Sequence, residues 1–288
     1  MTALGGPAPP TDADRATPPK PASLVEAARA IVATPDLADK VAIARIAADA
    51  WHAGTLSLGA LSTPAPMPER PGRPERPELR PPRDMPRRSS AGERGRIALL
   101  HSLAHIELNA VDMTWDLVGR FAHEAVPRRF FDDWVRVGRE EADHFALVSR
   151  RLQELGAAYG DLPAHDGLWQ AAQATGHSLI ARIAIVPLVL EARGLDVTPA
   201  MLRSLEAAGD TASAAVLDVI YTDEKRHVAC GARWFRYLAE RAGLSPEPLF
   251  HDLVRRHFRG PLKPPFNDRA RSEAGLSPGF YKPLVAVG

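Results

Sequence analysis

The chain has a single cysteine, Cys230, among its 288 residues. That scarcity excludes an intramolecular disulfide framework and fits a reducing cytoplasm. An excess of either charge is also missing: 36 Lys and Arg stand against 35 Asp and Glu, a net charge of +1. The whole chain is therefore not drawn electrostatically to nucleic acid or an anionic membrane. No run reaches the ~18 apolar residues of a membrane-spanning helix. The first residues, with early Pro and Asp, lack the charged-then-apolar order of a secretory signal. These absences read as a cytoplasmic protein with one large domain and appendages.

What is present falls into five stretches. Residues 1–21 are rich in Pro, Ala, Gly, Thr and Asp and are expected to be disordered. Residues 22–62 form a small helical unit, with one helix over 23–32 and a second opening at Thr34-Pro35, a cap followed by Pro at the first helical position. Packing or an oligomer contact is its expected role. Residues 63–89 contain nine prolines interleaved with Arg and Glu. Proline fixes φ and removes a donor, so this is an extended arm, expected as a strap over the protein's own surface.

Residues 90–243 hold the long helices of an all-α bundle. Ser90-Ala91-Gly92-Glu93 has the form of a capping box and opens a helix to about residue 121. A second helix is expected over 130–155, a third over 168–193 and a fourth over 211–241. Pro187 denies Ile183 a hydrogen bond, which predicts a kink or π-type bulge just before Glu191. Gly194 and Thr198-Pro199 read as a stop and a restart, followed by a short helix to 208 and a reversal at Gly209-Asp210. Residues 244–288 read as one more helix over 246–258 and then an irregular strap.

The chemistry sits on the bundle helices. Glu224 and His227 stand three residues apart, as do Glu141 and His144, and i, i+3 residues are neighbours on one helix face. A lone carboxylate precedes each pair by a helical hairpin: 32 residues separate Glu107 from Glu140 (108–139), and 31 separate Glu191 from Asp223 (192–222). Solvent-facing Glu and His on ordinary helices would be the bland reading, and helical phase decides against it. At ~100° per residue, Glu107 shares its face with Leu100, Leu103, Ala104, Val111 and Val118. Glu141 shares its face with Trp134, Val137, Phe145 and Val148. Glu191 sits with Ile180, Ala184 and Leu188, and Glu224 with Leu217, Ile220, Val228 and Phe235. An ionised carboxylate in an apolar stripe is too costly unless it is paired or bound to metal.

Four Glu charges balance two divalent ions with both His neutral. Carboxylate and imidazole donors suit iron or manganese, and zinc is not excluded by donor type. One Glu from each of two helices plus Glu-x-x-His from each of two others is the donor set of ferritin-like di-iron and di-manganese bundles. His101 and His105 lie off this face and are expected as surface or helix-contact residues. Cys230 is also off the face, a packing residue. Tyr221, three residues before Glu224, is read as core packing, with a redox or pocket role as the alternative.

Residues 90–243 resemble a ferritin-like di-metal carboxylate protein. The run Asp223-Glu224-Lys225-Arg226-His227 resembles the second metal motif of bacterial multicomponent monooxygenases and ribonucleotide reductase small subunits. Extended through Val228, Gly231 and Arg233-Trp234-Phe235, it is similar to a group of bacterial ferritin-like proteins of unassigned function. The resemblance implies that Asp223 pairs with a metal-bound His and with Arg226. The matching position in the first motif is Glu140, with Asp143 rather than Arg before the His, so the mirrored network is open there. Asp143 and Asp223 are the natural acceptors for the second His N–H.

The implied function is an oxygen-activating di-iron oxidoreductase, a hydroxylase or oxidase with a small-molecule substrate and an electron donor. A ferroxidase or iron-handling protein is the alternative. A tRNA-modifying hydroxylase is a third reading, with Arg128-Arg129, Arg150-Arg151 and Arg255-Arg256 available for phosphate.

Overall fold

Apolar residues recurring every three to four positions dictate long helices, and three dominate the computed structural model, which describes residues 21–59, 66–90 and 92–285. The expectations for 1–20 and 60–65 lie outside those residues. Helices α1 (Leu24–Ala33) and α2 (Leu37–His52) are followed by α3 (Glu93–Arg120) and α4 (Arg128–Glu154). After α5 (Gly167–Ala174) and α6 (Leu179–Ile185) come a π-helical turn (Val186–Glu191) and α7 (Ala192–Ala207). The chain then forms α8 (Thr211–Arg241), α9 (Pro246–His257), α10 (Asp268–Glu273) and α11 (Pro278–Tyr281). Among the described residues there is no strand beyond isolated bridges, and no helix is long and apolar enough to cross a membrane. The fold is an all-α helical bundle.

Helix α4 shows how patterning sets the packing. It buries Phe130, Trp134, Val137, Glu141, Phe145, Val148 and Leu152 along one stripe, the 3.6-residue period of an amphipathic helix. That stripe faces α3 and α8. The fourth strut is composite. The expected single helix over 168–193 is interrupted at 175–178, because the buried Arg182 takes the end of α5 as its partner. Arg182 Nη2 donates to the Ala172 carbonyl at 2.7 Å and its Nε to Thr175 Oγ1 at 3.0 Å. A guanidinium can close a helix end in this way because it satisfies carbonyls that the helix leaves open.

The bulge expected at Pro187 is present as the π turn. The expected stop at Gly194 and restart at Thr198-Pro199 are absent, and α7 runs through both. Pro199 cannot donate to the Leu195 carbonyl, but Asn267 Nδ2 does so instead at 3.1 Å. Leu195 and Leu205 are fully buried, and their packing outweighs the roughly 1 kcal/mol that Gly194 costs in a helix. The reversal falls where expected, with Gly209 at φ 76° and Asp210 capping α8 through Ser213 N at 3.0 Å.

Three helix starts or tails depart from the sequence reading. Helix α2 starts at Leu37 with Asp36 as its cap, accepting from Asp39 N at 2.9 Å. The Thr34 hydroxyl instead donates to the Ala30 carbonyl, closing α1. The capping box at 90–93 does not form. Gly92 occupies the cap with φ 73° and no side-chain bond, and Ser90 Oγ pairs with Ser204 Oγ. The C-terminal strap contains two short helices, α10 and α11, the first capped by Asn267.

The proline arm lies across the protein's own surface. Gly72 N donates to Val32 O, and the Glu69 carbonyl accepts from Trp169 Nε1 at 3.1 Å. Arg73 Nη2 reaches Asn109 and Asp112, both at 2.9 Å. Helices α1 and α2 pack on α3 and α4 and share one hydrophobic core with the bundle. Between α3 and α7 the bundle is splayed. The stretch 258–266 roofs the gap, leaving a cavity of about 640 Å³.

Candidate metal centre

Four elements bring six acidic and imidazole side chains to the middle of the bundle. Helix α3 supplies Glu107, α4 supplies Glu141 and His144, the end of the π turn supplies Glu191, and α8 supplies Glu224 and His227. The π turn reaches α8 closely because Gly231 has no side chain. A Cβ there would stand 2.6 Å from Pro187 Cβ and 2.8 Å from its Cγ, a close approach that glycine allows.

One ligand atom from each of Glu107, Glu141, His144 and Glu224 lies within 4.8 Å of all the others. His144 Nδ1 is 3.4 Å from both Glu107 Oε2 and Glu141 Oε2. His227 Nδ1 is 2.9 Å from Glu141 Oε1 and 3.5 Å from Glu224 Oε1. None of these approaches is aligned as a hydrogen bond. Glu191 is outside that tight set of four. Its carboxylate nevertheless feels Glu224, Glu141, His227 and Glu107, and it walls the cavity together with Glu107 and Glu224.

The outer nitrogens of the two histidines are held from behind. His144 Nε2 is 3.0 Å from Asp223 Oδ2, and His227 Nε2 is 2.8 Å from Glu140 Oε2. Arg226 Nη2 donates to Asp223 Oδ1 at 2.5 Å and to Glu140 Oε1 at 3.1 Å. One Arg thus serves both carboxylates, although the first motif has no Arg of its own. With Nε2–H donating outward, each imidazole in its neutral form would turn its Nδ1 lone pair into the cluster, the tautomer that a metal requires. Asp143 takes no part. It faces Arg45 Nε at 2.7 Å and Arg139 on the outer surface, because its position on α4 turns it toward α2.

The electrostatics are those of a site short of positive charge. Burial raises the Glu107 carboxyl to about 8, against the opposing pull of His144. Burial, with the nearby Glu224 and Glu141, lifts Glu191 well above the carboxylate range. Burial also raises Glu224. Glu141 goes the other way: burial opposes it, but His227 and His144 hold it low. Burial disfavours the charged imidazole of His144, yet Asp223, Glu107 and Glu141 together lift it to about 12. His227 is raised in the same manner by Glu141 and Glu140.

Among the described residues, fourteen sealed side-chain N and O atoms lack a hydrogen-bond partner, and eight of them belong to these six residues. Sealed polar atoms normally find partners, and carboxylate and imidazole atoms concentrated at one point are a donor set that could hold cations. Two divalent ions among four carboxylates and two imidazoles fit that deficit.

A family model described as "Protein of unknown function (DUF455)" matches residues 33–282. The chain belongs to this family. An uncharacterized protein of Haemophilus influenzae is 43% identical over 209 residues, covering 71% of this chain and 73% of its own length. No solved structure matches the chain. The matched residues of the DUF455 chain contain every side chain of the cluster, from Glu107 to His227.

The remaining sequence candidates lie elsewhere. The Tyr221 hydroxyl accepts from Asn267 Nδ2 at 3.2 Å, and its ring lies under Lys225. It ties α8 to the tail and is not a cavity wall. Cys230 is buried, and burial pushes its thiol up to about 12. His101 and His105 are buried rather than on the surface. His101 Nε2 accepts from Gly160 N at 2.9 Å, and His105 bridges the Tyr159 hydroxyl and the His165 carbonyl. They fasten the 156–166 connection to α3.

Sequence reasoning missed three buried ion pairs: Lys40 with Asp112, Arg182 with Asp116, and Arg271 with Asp196. The signal for two of them was visible, since Asp112 and Asp116 are the only charged residues between Glu107 and Arg120 on α3.

Proposed function

We propose that the six side chains hold two iron ions in a ferritin-like bundle, with manganese as the alternative metal, and that the protein is an oxygen-activating hydroxylase or oxidase. The observation that carries this reading is the clustering of partnerless carboxylate and imidazole atoms around one point of the core. When bound, a carboxylate-held pair of reduced iron ions supplies the electrons for activating O₂. The chain supplies the rest. Asp223 and Glu140 fix the imidazole orientation, and Arg226 bridges the two carboxylates. The π turn aims Glu191 at the cluster. Apolar walls exclude water and strengthen every charge interaction inside.

The cavity favours an enzyme over an iron store, because it opens on Glu107, Glu191 and Glu224 and is roofed by the chain's own tail. A small-molecule substrate fits this space, and turnover requires an external electron donor. The tRNA reading has weaker support. Arg128, Arg129, Arg151 and Arg255 each face a carboxylate of the same chain.

Aerobic titration with Fe(II), followed by mass spectrometric metal analysis, tests the proposal. Saturation near two irons per chain, with no further oxidation until a reductant and an organic substrate are added, is the expected outcome. Continued uptake to tens of irons per chain, in a large hollow assembly by light scattering, would replace the enzyme with a storage protein.

A further inference from the structure

The cavity has a feature that the metal cluster does not use. Arg271, on α10, is one of its walls and is only 2% exposed. Its Nε and Nη2 donate to the two oxygens of Asp196 at 2.8 and 2.7 Å. The rings of Phe266 and Tyr281 lie beside its guanidinium, at 5.0 and 4.6 Å. The remaining nitrogen, Nη1, is sealed from solvent and has no hydrogen-bond partner. Two N–H donors of a guanidinium left bare in a protein interior are costly, and the cavity is where an acceptor would enter.

The surroundings define that acceptor. Arg88, Arg193, Arg259 and Lys263 also wall the cavity, so that cations outnumber the three glutamates of the lining and favour an anion. The rest of the wall is apolar, including Leu99, Ala110, Met113, Val189, Leu217 and Phe258. A volume of about 640 Å³ lies within the ~300–1,000 Å³ of small-molecule sites. The partner of Arg271, Asp196, lies five positions beyond Glu191. At 1.5 Å per residue, that is roughly 7.5 Å along the helix.

Resting on the proposed reaction centre, we infer that the substrate is an apolar carboxylic acid. Arg271 Nη1 holds its carboxylate, the apolar walls hold its hydrocarbon body, and the cluster faces a carbon several bonds from the carboxylate. Arg271 is held in place for this by Asp196, which also accepts from Asn267 N at 2.9 Å. Arg193 pins the roof from the same helix, donating to the carbonyls of Lys263 at 2.7 Å and Pro265 at 3.1 Å. A charge-assisted contact from Nη1 to a carboxylate is stronger than one to a neutral head group.

Isothermal calorimetry on the full chain tests the inference with decanoate, decanol and decyl phosphate as probes. It is run on protein as purified and again after chelation, so that carboxylate binding to a metal is separated from binding to Arg271. The expected result is decanoate bound roughly 10–100-fold tighter than decanol in both preparations, with that preference lost in Arg271→Gln. Ala110→Trp, which fills the cavity and leaves Arg271 intact, should abolish binding of both. If Arg271→Gln does not fold, Arg271→Lys keeps the charge beside Asp196, lacks Nη1, and should lose the preference. Equal binding of decanoate and decanol, retention of the preference in the Arg271 variant, or tighter binding of decyl phosphate overturns the inference. Because the chelated protein is measured, that outcome leaves the iron stoichiometry untouched, and a failed iron titration leaves the carboxylate preference to be read independently.

Discussion

Helix α3 carries three buried carboxylates that differ in one respect. Asp112 meets the buried Lys40 and, at 2.9 Å, Arg73. Asp116 meets Arg182 at 2.6 Å and Arg120 at 2.8 Å. Glu107, one turn earlier, has His144 at 3.4 Å and otherwise other carboxylates around it. The first two are neutralised by the chain's own cations and belong to the architecture. The third is gathered with like charges that repel unless a cation arrives. A buried charge is therefore informative about function through the partner it lacks.

The comparison predicts opposite signs for removing the two kinds of carboxylate. Asp116→Ala strands the fully buried Arg182 and should destabilise the protein by roughly 3–5 kcal/mol. Glu191→Leu, measured without metal, removes a sealed carboxyl with no partner and should stabilise by on the order of 1–3 kcal/mol. Urea unfolding of both variants checks this. A loss of stability in both would erase the distinction between the two sets.

A smaller effect sharpens the comparison within the cluster itself. Asp223→Ala removes the acceptor behind His144 and should weaken metal binding about 10–100-fold. Asp143→Ala, next to the same histidine in sequence but facing Arg45, should leave affinity unchanged. Competition with a chelating dye measures both. Equal losses would mean that Asp223 acts through overall charge and not through the imidazole it touches.

The smallest effect concerns the architecture alone. Burial lowers the pKa of His101 from its ordinary value of 6.5, and its Nε2 must stay unprotonated to accept from Gly160 N. The folded-state value lies below the unfolded one, so this stabilisation is fully present above pH ~6.5 and declines as pH falls toward the folded-state value. One group contributes at most roughly 1.4 kcal/mol per pH unit. Unfolding free energies measured from pH 8 down to 5 should show a steeper decline in wild type than in His101→Gln. Parallel curves would assign the acid sensitivity to other groups.

Much of this protein was legible residue by residue because helical structure is local. The Glu-x-x-His pairs, the apolar stripes around the four glutamates, the π turn forced by Pro187 and the reversal at Gly209-Asp210 each depend on neighbours within a turn or two. The N-caps were less secure. Thr34-Pro35 and Ser90 had the right residue types, but Asp36 and Gly92 took the positions, since several adjacent residues can cap and tertiary packing chooses among them.

Only the tertiary structure decided which buried charges are satisfied. Lys40 reaches Asp112 across 72 residues, and Arg182 reaches Asp116 across 66. Asn267 rescues the Leu195 carbonyl across 72 residues, so that α7 survives Pro199. Periodicity carries no information about such partners, because they are chosen by proximity in the fold and not along the chain. The single Arg226 serving both histidine networks, and the tail that brings Arg271 to the cavity wall, belong to the same class. The sequence by itself determined the helices and the face on which each glutamate lies. The packing of distant segments decided that Asp112 and Asp116 have Lys or Arg beside them and that the glutamates of the cluster have only His144 and His227.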